Sequence, residues 1–144
     1  MTKSIEKIVN TATRFHACGK EHEIEDMKSA ITTLLTSQGR EFAMRTGYPY
    51  LVVFRDNVAE LSRVPGVYID AGRCVSSMYD TVSVGDTSLT VIASGAERLY
   101  HVMVMHGATV KVDARNYAVA TVTSVGGSIE VNNDGTAIIN IEKL

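Results

Sequence analysis

The sequence predicts an α+β protein of 144 residues: a helical segment over residues 1–65, then a small all-β domain over 66–144 coiled as a short β-solenoid. Three observations predict it. The apolar period changes from about 3.6 to about 2 near Val67, and the residue types change with it to Val, Ile, Thr and Ala. Turn residues then recur at intervals of roughly 8 to 12. Finally, the residues that alternate inward are small, as a narrow coil requires.

In the first part, Ile5, Ile8, Val9, Ala12 and Phe15 recur at helical spacing, with Thr2 or Ser4 as N-cap and Gly19 as a stop. Ile24, Met27, Ile31, Leu34 and Leu35 make a second helix, opened by Glu23, Glu25 and Asp26 where the dipole favours acids. A third runs from about Gln38 to Arg45, after Thr36 or Ser37 and before Gly47 and Pro49. Leu51, Phe54, Val58 and Leu61 fit a fourth, although Leu51 to Phe54 also reads as a strand. The Pro65-Gly66 turn marks the domain boundary.

Strands are expected at Val67–Asp70, Thr81–Val84, Ser88–Ala93, Tyr100–Met105, Thr109–Ala114, Val119–Thr123, Ser128–Val131 and Ala137–Ile141. Regular short strands fit an antiparallel β-sandwich as well as a coil. The coil is preferred because Ala118/Ala120/Val122, Ile129/Val131 and Ala137/Ile139/Ile141 repeat a small apolar face, and Tyr117 is the one aromatic after Tyr100. A sandwich core recruits larger side chains. Asn133, Asp134 and Gly135 also suit an ordinary hairpin.

The stretches Thr36-Ser37-Gln38-Gly39-Arg40-Glu41-Phe42, Gly66-Val67-Tyr68-Ile69-Asp70-Ala71-Gly72 and Met105-His106-Gly107-Ala108-Thr109-Val110-Lys111-Val112 resemble those of small uncharacterised proteins of Bacteroidales bacteria and their phages or mobile elements. The resemblance implies a bacterial or phage provenance with short β-repeats behind a helical leader. It implies no activity and transfers no site residue.

With 45% hydrophobic residues and 2 Pro, the composition is that of a folded globular chain. A net charge of −2 supplies no basic field for nucleic acid, so none is expected as a partner. Cys18 and Cys74 fall in different segments, which favours free thiols and a cytoplasmic setting, in a bacterial or phage-infected cell. The first 15 residues lack a signal-peptide core, and no apolar run is long enough to span a membrane.

His16, Cys18 and His22 offer three borderline metal ligands within a few residues, short of the four that structural zinc takes. A helix end just before Gly19 accounts better for His16 and Cys18, so neither a metal nor a cofactor is expected. His101 and His106 bracket Val102 to Met105 at an odd spacing, which in a strand sends them to opposite faces. Val102 and Val104 would share a side with His106, Met103 and Met105 with His101, as in a strand buried on both faces.

With Asp113 or Glu97 as partner, these histidines form a candidate polar site, and the alternative reading is a small carbohydrate-binding or carbohydrate-active protein. Asp70, Asp80, Asp86, Glu130 and Asp134 read as turn residues. No phosphate-loop, dinucleotide, nucleophile-elbow or zinc-protease pattern is present.

A short coil exposes an apolar cross-section and unpaired backbone at each end. The helical segment is expected to cap the first coil. The last strand, with Ala137, Ile139 and Ile141, is the candidate interface for self-association or a protein partner. The sequence therefore favours a non-enzymatic structural or protein-interaction module.

Overall fold

A computed structural model describes residues 26–143. The first predicted helix, the candidate ligands His16, Cys18 and His22, and the Glu23, Ile24 and Glu25 start expected for the second helix lie outside them. Helix α1 is Met27–Leu34, where Asp26 accepts from the Ser29 amide at 2.7 Å and the Ser29 hydroxyl accepts from the Asp26 amide at 2.9 Å. This reciprocal cap fixes its start. Helix α2 is Ser37–Thr46, capped by the Thr36 hydroxyl on the Gly39 amide and closed by Gly47 at φ 75°. A left-handed residue there favours glycine.

The ambiguous run Leu51 to Leu61 is helical, as α3 (Leu51–Asp56) and α4 (Val58–Leu61). Phe54 and Leu61 are buried while Val52 is exposed, so helical periodicity prevails over the β-propensity of Leu-Val-Val-Phe.

Nine strands follow: β1 Val67–Ile69, β2 Gly72–Ser76, β3 Asp80–Val84, β4 Thr87–Ser94, β5 Tyr100–Met105, β6 Thr109–Arg115, β7 Val119–Val125, β8 Ser128–Asn133 and β9 Ile138–Glu142. Odd strands form one sheet, β1-β3-β5-β7-β9, and even strands the other, β2-β4-β6-β8. Every described ladder is parallel. The chain is thus a β-solenoid of about four turns, and the antiparallel sandwich is ruled out. Each corner carries the chain to the opposite sheet, so a strand pairs with the one a full coil earlier.

The coils differ in length, which hides the repeat. Val67 pairs with Val82, Asp80 with His101, Tyr100 with Ala120 and Val119 with Ile138. Sequence reasoning missed β2, because Gly72 at φ 67° opens the strand after a corner and its residues are mostly exposed. Asn133-Asp134-Gly135 closes no hairpin. It forms a corner that leads β8 into β9.

Among the described residues, two cores define three layers. Between the sheets, Leu89, Val91, Val110, Val112 and Ala114 meet Tyr100, Val102, Val104, Ala120 and Val122, nearly all fully buried. On the other face of the odd-strand sheet, Val82, Val84, Met103 and Met105 pack under Phe42, Phe54 and Leu61 of the helices. Strand β5 is therefore buried on both faces, as its Val and Met alternation predicts.

The helices do more than close the first coil. They lie along the sheet, from Arg55 paired with Asp70 at the first corner to Arg40 paired with Glu142 in β9. A purely end-on cap would leave Met103 and Met105 in water; covering them explains the placement.

Candidate functional site at the last coil

Among the described residues, strands β8 and β9 are edge strands, each with one neighbour, at the same end of the solenoid. Ile139 and Ile141 continue the inward column of Ala120 and Val122, and Val131 continues that of Val112. Ala120, Val122 and Val112 are fully buried, whereas Ile141 is 49% exposed, Val131 36% and the neighbouring Ile138 60%. Ala137 and Ile139 are partly buried against the inner core. The apolar column simply ends in solvent among the described residues.

This end is well built. At the corner before β9, Asp134 accepts from the amide and hydroxyl of Thr136 and from the Asn116 amide. Those bonds, the Thr136 hydroxyl first, hold its carboxyl below the usual aspartate value. The Tyr117 amide donates to the Thr136 hydroxyl at 2.9 Å, and Asn133 bonds Ala137 and Gly135.

At the far end of β9, Glu142 accepts from Arg40 Nε and from the Thr123 hydroxyl, each at 2.8 Å. Burial pushes its carboxyl up, but these bonds outweigh it and leave a net lowering. An edge held in register, with no proline and with Glu130 and the Arg40-paired Glu142 as its two acids, lacks the usual protection against pairing.

The candidate polar residues are dispersed. His101 and His106 stand at opposite ends of β5. His106 has φ 55° and leaves the strand, so its ring turns to the helical side, the side of Met103, rather than that of Val102. There its Nε2 lies 2.6 Å from the Pro49 carbonyl, which places the proton on Nε2, and its ring is 6.1 Å from Phe54.

Asp113 is on the other sheet, accepting from Arg115 at 2.7 Å. His101 Nδ1 instead lies 3.5 Å from Asp80, its register partner. Among the described residues no cluster of His, Cys, Asp and Glu could hold a metal, and Cys74 is a free thiol that burial pushes up in pKa. No described helix is long and apolar enough to cross a membrane.

Sequence reasoning missed two pairs that organise the molecule, Arg40 with Glu142 and Arg55 with Asp70. The second is bidentate, at 2.9 and 3.0 Å, so Asp70 is a structural anchor at its turn. Neither pair has a local signal.

Fold and site define a parallel β-solenoid with a helical layer on one sheet and an apolar edge at its last described coil. No protein family, curated protein or solved structure matches the chain.

Proposed function

We propose that this chain is a non-enzymatic structural or protein-interaction module of bacterial, phage or mobile-element origin, which joins a second copy of itself end to end through its last coil. The observation that carries the reading is the ordered edge of β8 and β9, unpaired among the described residues, with Ile138, Ile141 and Val131 exposed. The provenance rests on the sequence resemblance.

The β9 edge is self-complementary. A two-fold axis through Asn140 sets β9 antiparallel to its copy, with Ile139 across from Ile141 on the inner side and Asn140 across from Asn140. No like charges meet in that register, and the inner columns become continuous. Strands of five and six residues span only about 17–20 Å, so the joint is small and association depends on concentration.

Size-exclusion chromatography with light scattering tests this on the full chain of 15.6 kDa. The wild type should approach twice that mass as concentration rises, and Ile141→Lys, an inward charge on the edge, should stay at the monomer mass with unchanged circular dichroism. A wild type that remains monomeric throughout overturns the proposal.

A further inference from the structure

We propose that the cleft between the helices and the loop before β5 binds a small oxyanion, a phosphate or carboxylate group, through Arg98 and His101. The cleft, about 490 Å³, is lined by Thr36, Ser37 and Arg40 from the helical layer and by Asp80, Arg98 and His101 from the solenoid. It makes no use of the edge strands.

The two contacts of Asp80 in the cleft are longer than the molecule's tight ion pairs, Arg40 at the cleft's own wall included. Arg40 meets Glu142 at 2.8 Å, Arg55 meets Asp70 at 2.9 Å and Arg115 meets Asp113 at 2.7 Å, each a charge-assisted hydrogen bond. Asp80 lies 3.6 Å from Arg98 and 3.5 Å from His101. One carboxylate is thus shared by two donors, and neither contact reaches hydrogen-bond length. Among the described residues this leaves donor capacity on Arg98 and His101 for a second anion.

Arg98 is also set in place without a tight carboxylate. Its guanidinium carbon lies 5.1 Å from the centre of the Tyr79 ring, and Tyr79 rests on Tyr100 at 4.7 Å. The Tyr100 hydroxyl in turn donates to the Ser94 carbonyl at 3.2 Å. Stacking of this kind holds a guanidinium plane while leaving its N–H fork available to an oxyanion. Glu97, the acid of the same loop, has its carboxylate against Gly95. An anion entering between Arg98 and His101 competes with Asp80 at close range, and Glu142, held by Arg40, adds a negative charge that His101 also feels; with Arg98 largely exposed, the binding is weak.

The test is an NMR titration of the full chain at fixed pH and ionic strength, following the Arg98 Nε and His101 ring signals, with inorganic phosphate and separately with acetate. Saturable shifts are expected with at least one of them, and which one saturates distinguishes the phosphate from the carboxylate. Arg98→Ala should weaken the response roughly tenfold. Asp80→Asn should tighten it, because it removes the competing charge, a gain that a purely structural ion-pair network does not give.

Melting temperatures of both variants separate loss of binding from loss of fold; if Asp80→Asn unfolds, Arg98→Ala decides. Unsaturable shifts with both anions, or unchanged binding in Arg98→Ala, overturn the proposal.

Discussion

Arg40 Nε donates to Glu142 Oε1 at 2.8 Å, joining α2 to β9 across 102 residues of sequence. Arg40 Nη1 also donates to the Leu35 carbonyl at 2.6 Å, so one side chain links α1, α2 and the last coil. Glu142 additionally takes the Thr123 hydroxyl, which fixes β9 against β7. The edge that we propose as an interface is therefore held from the helical layer.

Removing that link should loosen the edge more than the core. Arg40→Ala leaves Glu142, about one-third exposed, without its ionic partner. The expected cost is roughly 1–2 kcal/mol of global stability after allowing for solvent screening. Urea denaturation checks the magnitude, and amide exchange should quicken in β9 while β4 and β6 keep their protection.

Acid should destabilise the fold. The hydrogen bonds from Arg55, and then the Asp86 amide, lower the Asp70 carboxyl; Glu142 is lowered despite its burial. Groups with depressed folded-state values stabilise above the unfolded value, and that stability is lost as pH falls through the folded one. The urea midpoint should hold near neutrality and decline below about pH 4. Asp70→Asn should flatten part of the decline, and a midpoint constant into strong acid contradicts the assignment.

Ser83 offers a change in the other direction. Its hydroxyl is buried and has no hydrogen-bond partner among the described residues. A buried hydroxyl without a partner costs about 1–3 kcal/mol, while the methyl of alanine carries no such penalty. Ser83→Ala should leave stability unchanged or raise it. A loss of more than about 1 kcal/mol in thermal or urea unfolding would show that the hydroxyl is satisfied by water.

Local patterns reached the elements well. Thr36 as a cap, Gly47 as a stop, and the Val and Met alternation of β5 all rest on interactions within a few residues, and the small inward side chains of β6 and β7 indicated a slim coil; Asp26, expected in the first turn of its helix, is instead the N-cap. What escaped depends on distance along the chain or on backbone reversal. The coil repeat is blurred because coils of unequal length bring Val82 to Val67 but His101 to Asp80. His106 defied the parity rule because a positive φ ends its strand, and the helical cover of Met103 and Met105 needed the fold itself. Arg40 with Glu142 and the Asp80 cleft are products of tertiary packing alone.

The claim that the last coil is a working interface is tested most directly by amide exchange on the wild-type chain, dilute and concentrated. The account predicts that amides of β8 and β9, Ile139 to Ile141 above all, gain protection as concentration rises, while those of β2 to β6 do not change. Edge amides whose exchange is the same at every concentration would contradict it.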